Sequence, residues 1–371
     1  MFVPSLRRSP LNVAELRLYA QGIAGPSNET PDQVVTRLGA IQAQDYPGAL
    51  WSIALRTQGA TRTDVEQAIS ARTIVRTWPM RGTLHFIPAI DARWMLTLMT
   101  PRIIKGAAGR HRQLELDTTT FRRSRTLIEK ALAREPVLAR TAIFALLERG
   151  GVSTAGQRGI HILQQLCMEC TLVYGPHNDK QPTFALFDSW IPTSRMLGRN
   201  EALRTIAERY FTSHGPATLR DFVGWTGLTV ADATLAVHHA ADALERIDVD
   251  GMAMWAGLAR AEADVDGQRA QLLPGFDEFM LGYKDRSAAL PARHASRIVP
   301  GANGMFLSTL VLDGQVRGTW RRAIRRATVE LACMPFQRTS AADRATFTAP
   351  STRYAEYLGT PVTLKWEPAA R

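Results

Sequence analysis

The sequence has little cysteine, little lysine and no long apolar run, and each shortage excludes something. Three cysteines in 371 residues, Cys167, Cys170 and Cys333, are too few for a disulfide framework. No stretch approaches 18 uninterrupted apolar residues, and the opening MFVPSLRRSPLN lacks the hydrophobic centre of a signal peptide. A cytoplasmic chain with no membrane partner is therefore expected. G-x-S-x-G, H-E-x-x-H, P-loop and dinucleotide-fingerprint patterns are also missing, so the common hydrolase, zincin and NTPase readings have no support. The run Cys167-Met-Glu-Cys170 has C-x-x-C spacing, but its context reads as an apolar helix entering a strand, and no second ligand pair follows. A structural zinc site needs four ligands. Two buried or half-buried thiols, no metal and no cofactor are expected.

Charge is what the sequence has in excess. Lys and Arg number 45 against 34 Asp and Glu, for a net charge of +11, and only five of the 45 are lysine. An anionic partner follows, nucleic acid first, because arginine makes planar bidentate contacts with phosphate and stacks on bases. A G+C-rich genome would also raise the arginine count. Hydrophobic residues at 45% and charged residues at 21% are ordinary globular composition. The length suits two or three domains.

Element order recurs along the chain. Leu11, Leu16, Leu18 and Tyr19 have helical spacing. A second helix is expected with Thr30 as N-cap, Pro31 at N1 and a stripe of Val34, Val35, Leu38 and Ile41, ending near Gln42. A third, TRTDVEQAIS, precedes TIVRTWPMRGTLHFIP, a two-stranded ribbon about Arg81-Gly82. Helices then a hairpin is the order of a winged helix-turn-helix. The same order returns at 123–187 and at 200–255, and from Ala270 the character becomes mixed β, with an Asp313-Gly314 hairpin and a closing strand PVTLKW. The expected fold is α+β: three tandem winged helix-turn-helix units at 1–120, 121–198 and 199–268, then a β-rich region at 269–371.

Candidate chemistry centres on IQAQDYPG. Gln42 and Gln44 share a face only if the segment is extended. Pro47 biases Tyr46 away from helix, so both amides are expected to project from a non-helical stretch. Buried amides need partners, so ordinary capping or backbone bonding is the competing reading. The pair His238-His239 reads as satisfied or solvated rather than as a metal site, and Asp277 and Glu278 as structural salt-bridging or capping groups rather than acid-base catalysts.

IQAQD, WPMRGTLHF, HGPATLRDFVGWTGL, LLPGFDEFMLGYKDR and DGQVRGTWRR occur in that order, and together they resemble the winged-helix DNA glycosylase family that includes AlkZ and YcaQ. The resemblance covers nearly the whole chain. It implies a C-shaped, DNA-sized channel and removal of alkylated bases. It also implies a catalytic Gln-x-Gln here, Gln42 and Gln44, whereas the other branch carries Gln-x-Asp; Asp45 is one residue out of register for that. Trp78, Arg81 and His85 are then candidates for supporting the site, His85 with hydrogen-bonded packing as its alternative. Candidates for binding DNA are Arg317, Arg321, Arg322, Arg325, Arg326, Lys284 and Arg286. On a continuing strand, Arg321 and Arg325 would share one face and Arg322 and Arg326 the other.

The resulting expectation is a monomeric, metal-independent, monofunctional glycosylase acting on N7-alkylated guanine in double-stranded DNA, bulky adducts or interstrand crosslinks included. A winged-helix transcription regulator and a protein that binds lesions without excising them are the alternatives. A palindromic footprint would favour the regulator.

Overall fold

A computed structural model describes residues 12–369 apart from residue 26, residues 179–180 and residues 259–268. Leu11 and Lys180 lie outside the described residues. Three times along the chain, three helices are followed by a two-stranded antiparallel ribbon. The first group has helices Pro31–Leu38, Tyr46–Ala54 and Arg62–Ser70; the second, Thr118–Leu132, Arg140–Arg149 and Arg158–Met168; the third, Arg199–His214, Leu219–Thr226 and Val230–His239. Among the described residues no helix is long and apolar enough to cross a membrane.

The first sheet takes β1 (Ile41–Gln42), β2 (Ile74–Met80), β3 (Thr83–Pro88), β4 (Leu138–Ala139), β5 (Leu172–Tyr174) and β6 (Thr183–Leu186), in the order β1-β3-β2-β5-β6-β4. The first two ribbons thus share one sheet across the expected boundary at 120/121. The third ribbon, β7 (Leu244–Val249) with β8 (Met252–Gly257), is a separate two-stranded sheet. The last sheet takes β9 (Ala270–Leu273), β10 (Thr309–Leu312), β11 (Gln315–Ile324), β12 (Val329–Pro335) and β13 (Val362–Trp366), in the order β13-β12-β11-β10-β9.

Local chemistry explains the turns. Arg81-Gly82 and Asp313-Gly314 each have positive φ at both positions, 53° and 70° in the first and 50° and 72° in the second. Two consecutive left-handed residues make the tight hairpin turn that matches strand twist, and the second position goes to glycine. The helix Pro31–Leu38 begins where the Gln33 side chain accepts from the Thr30 N–H. It ends at Gly39, φ 78°, three residues before the expected end near Gln42. Ile41 and Gln42 are therefore strand.

Tyr46 departs from expectation, because it opens the helix Tyr46–Ala54 with Pro47 in its first turn. An N–H there would be unpaired anyway, so the proline costs the helix nothing. Leu50, Trp51, Ile53 and Ala54 are all buried. A helix buried all round has no polar face and so no periodicity to read.

Among the described residues the apolar side chains form three buried clusters. One packs Val34, Val35, Leu50 and Ile53 on Leu272, Leu310, Leu331 and Tyr354 of the last sheet region. Another joins Val75 and Ile87 of the first sheet to Ile206, Tyr210, Phe222 and Trp225 of the third helical group. A third gathers the helices and strands of the second group around Trp78 of β2. Ala40 belongs to the second cluster, and Ile41 and Ala43 to the first. The Gln-x-Gln segment lies at the seam between two cores.

Candidate active site

The backbone of the Gln-x-Gln segment is held from three directions. The Gln42 N–H donates to Glu278 Oε1 at 2.9 Å, and the Ala43 N–H to the Leu84 carbonyl at 2.7 Å. The Ala43 carbonyl accepts from Arg76 Nε at 3.0 Å and Nη2 at 2.7 Å. Burial lowers the Arg76 pKa. Each contact satisfies a buried backbone group that would otherwise be costly, and together they fix the segment's position.

On that base the two amides meet. Gln42 Nε2 donates to Gln44 Oε1 at 3.0 Å, as an extended segment allows. Gln42 is buried and Gln44 exposed. Arg81 lies on the other side of Gln42: its Nη2 donates to Gln42 Oε1 at 3.3 Å and contacts His85 Nε2 at 3.2 Å. Its Nη1 donates to the Trp225 carbonyl at 2.6 Å. A guanidinium only donates, so His85 Nε2 accepts, and the ring proton sits on Nδ1, which donates to the Thr83 carbonyl at 2.9 Å. Burial, then the Arg81 charge, pushes the His85 pKa down to about 3, so the ring is neutral.

The turn before Glu278 is built to deliver two carboxylates. A side chain on Gly275 would meet the Phe306 carbonyl oxygen at 2.6 Å, and Phe276 is held at φ 62°. Asp277 caps the short helix Glu278–Leu281 and forms a fully buried pair with Arg56, with Oδ1 and Oδ2 each 2.9 Å from a guanidinium nitrogen. Beside it, Glu278 accepts from the Gln42 backbone through Oε1 and from the Trp225 indole through Oε2 at 2.9 Å. Burial alone would raise its pKa. The neighbouring His214, Arg81 and His85 outweigh burial and hold it at about 2. Both carboxylates therefore hold structure together, as the sequence reading expects, and Glu278 does so directly behind the glutamines.

Gln44 and Asp45 border two cavities. One, of about 760 Å³, is lined also by Trp51, Leu84, Phe276, Phe306, Trp320 and Tyr354, with Arg321 and Arg322 at its edge. The other, of about 610 Å³, is walled by Tyr46 stacked on His177 at 3.8 Å, with Arg62 and Glu66 opposite. Aromatic walls with a few fixed polar groups suit a planar ligand.

The remaining candidates are dispersed. Trp78 does not join the glutamines; a bulge at Trp78-Pro79 interrupts the β2–β3 ladder, and the buried indole packs against Tyr174, 5.2 Å between rings. β11 stops at Ile324, so Arg325 and Arg326 sit in the following turn and the expected face-sharing with Arg321 and Arg322 fails there. Arg325 instead pairs with Glu330 at 3.5 Å. Arg321 and Arg322, though adjacent on the strand, line the same cavity. Arg317 lies in a separate cleft of about 210 Å³ with Arg293 and Arg338. Arg286 is held by the Met280 carbonyl at 2.6 Å, its guanidinium 4.9 Å from the Phe306 ring. Lys284 is exposed beside Gly224.

Arg76, Trp225 and the bond from the Gln42 backbone to Glu278 are the parts of the site that the sequence does not announce. Among the described residues no three His, Cys, Asp or Glu side chains are grouped to hold a metal ion. Burial raises the pKa of the Cys167 and Cys170 thiols, Cys170 to about 11, which keeps both protonated.

Comparison with known proteins adds to this geometry. An "Interstrand DNA cross-link repair glycosylase" from Streptomyces sahachiroi is 27% identical over 322 residues, covering 82% of this chain and 85% of the relative. The solved structure of Streptomyces sahachiroi DNA glycosylase AlkZ superposes with a TM-score of 0.75 at 24% identity, over 95% of this chain and 98% of that one. The family pattern described as DNA glycosylase AlkZ-like matches residues 35–357. Fold and sequence pattern agree, and the chain belongs to the AlkZ-like DNA glycosylase family.

Proposed function

We propose that this chain is a cytoplasmic, monomeric and monofunctional glycosylase that hydrolyses the N-glycosidic bond of N7-alkylated guanine in duplex DNA, bulky adducts and interstrand crosslinks included. The observation that carries the reading is the fixed Gln42–Gln44 amide pair at the edge of a cavity of about 760 Å³ with aromatic walls and two arginines. In this reading the three helix-and-ribbon groups are winged helices around a C-shaped channel, and Arg321 and Arg322 meet the phosphates of the strand carrying the lesion. The name of the Streptomyces sahachiroi relative, which refers to interstrand crosslinks, supports the larger adducts.

Alkylation at N7 leaves guanine cationic, so the base departs as a neutral leaving group and needs no acid. The sugar passes through an oxocarbenium-like state, as in glycoside hydrolysis. The protein's task is to place a water and to aim dipoles whose negative ends face the sugar. Amide oxygens do both. Lysine would be needed for an imine-forming lyase. Among the described residues none lines either cavity beside Gln44.

Incubation with a duplex containing N7-methylguanine, followed by mass spectrometry of released base, tests the activity. Free N7-methylguanine and an uncut abasic strand are expected. No released base would overturn the excision reading, and a covalent complex trapped by borohydride would overturn the monofunctional one.

A further inference from the structure

We infer that Arg81 is a positioning residue that sets the direction of the amide chain, so that Gln44 addresses the attacking water and Gln42 relays. The inference rests on the glycosylase reading above. Arg81 has no acceptor atom. Its Nη2 faces Gln42 Oε1 and His85 Nε2 at once, and Nη1 is tied to the Trp225 carbonyl, whose own indole is tied to Glu278. The oxygen of Gln42 must then face Arg81, and its NH2 must face Gln44 Oε1, 3.0 Å away. The reverse amide orientation would set two donors against each other at one end and two acceptors at the other.

The direction has a chemical consequence. Gln42 is 6% exposed and its oxygen is turned to the guanidinium, away from solvent. Gln44 is exposed to the cavity, and its oxygen spends one lone pair on Gln42 and keeps the other. That lone pair is the acceptor available to a water, in a chain whose links polarise one another. Neutral His85 takes the remaining Nη2 hydrogen and prevents the guanidinium from turning away.

Isosteric variants separate the two glutamines. Gln42→Glu still accepts from Arg81 but cannot donate to Gln44, so either two acceptors meet or Gln44 turns its NH2 to residue 42 and carries its oxygen off the water. Gln44→Glu still accepts from Gln42 and still offers oxygen to water. Single-turnover excision at saturating duplex containing N7-methylguanine is expected to fall ~100-fold or more in Gln42→Glu, the range for losing a fixed dipole, and to stay within ~10-fold of wild type in Gln44→Glu. Arg81→Met is expected to lose ~10–100-fold alone and nothing further when added to Gln42→Ala, since it acts through Gln42. Thermal unfolding and duplex affinity, measured for every variant, keep folding and binding apart from chemistry.

Equal losses in the two glutamate variants would overturn the inference, as would an Arg81→Met loss that multiplies in full on Gln42→Ala. If Arg81→Met does not fold, the glutamate pair alone decides. Full excision by both Gln42→Ala and Gln44→Ala would instead overturn the glycosylase site itself. Losses in both alanine variants without the glutamate asymmetry would overturn only the role of Arg81.

Discussion

The first and third ribbons follow their helices in the same order, yet they are built differently. β2 lies between β3 and β5, and all seven of its residues are buried, among them Arg76 and Thr77. β7 has only β8 as partner; Leu244 is buried and Glu245, Arg246 and Asp248 are not inside. Enclosed on both edges, β2 buries polar side chains: Arg76 is completed by the Ala43 carbonyl, while Thr77 Oγ1 has no hydrogen-bond partner among the described residues. Glu278, 236 residues beyond Gln42, completes the backbone N–H of Gln42 on β1 beside this ribbon. In the third ribbon β7 turns Glu245, Arg246 and Asp248 outward, while Met254 and Ala256 of β8 are buried. Repeated element order therefore does not repeat chemistry, which resides in what packs against one copy.

The difference can be broken in several places. The largest effect is expected from Asp277→Ala, which leaves the Arg56 guanidinium buried and unpaired and should cost about 3–5 kcal/mol of stability, read in denaturant titration. A loss under 1 kcal/mol would mean that the turn bearing Glu278 is not anchored by this pair.

Acid is expected to act next. His85 titrates near 3 in the folded chain and near 6.5 when unfolded, so the unfolded state binds the extra proton between those values. Stability should fall as pH drops below about 6.5, by up to about 1.4 kcal/mol per unit for this one proton. Glu278, held at about 2, adds loss in the same direction below about pH 4.5. Melting curves from pH 7 to 4 should flatten in His85→Gln. An equal slope in wild type and variant would remove His85 from the buried cluster.

Binding to undamaged duplex sharpens the comparison further. Arg321→Ala with Arg322→Ala should reduce the slope of log K against log salt by about 2, one phosphate each at ~0.9. Arg325→Ala with Arg326→Ala, beyond the strand, should change it less; the reverse ranking would move DNA to the turn. Smallest of all, Met252→Ser on the exposed third ribbon should alter stability by no more than ~0.5 kcal/mol.

Local signals in the sequence were enough for part of this. Pro47 marks the segment in which the glutamines are not helical, whereas the helix stop at Gly39 lies ahead of the end expected near Gln42, and Arg81-Gly82 and Asp313-Gly314 mark both hairpins through their backbone demands. The helix Tyr46–Ala54 was hidden because Pro47 reads as a breaker and the rest has no polar face. Trp78 has the neighbours of a site residue in sequence, but the bulge beside it sends it elsewhere. Arg76 and Glu278 were unreadable for another reason. One arginine among 40 carries no mark of the carbonyl it will hold, and no local pattern specifies a contact that spans 236 residues.

Single-turnover excision of N7-methylguanine by the Gln42→Ala/Gln44→Ala double variant tests the central claim most directly. At saturating duplex, with wild-type melting and wild-type affinity, the rate should fall ~100-fold or more, as for removing the dipoles that place water at a reacting sugar. Excision at the wild-type rate would contradict the account and place the chemistry elsewhere in the molecule.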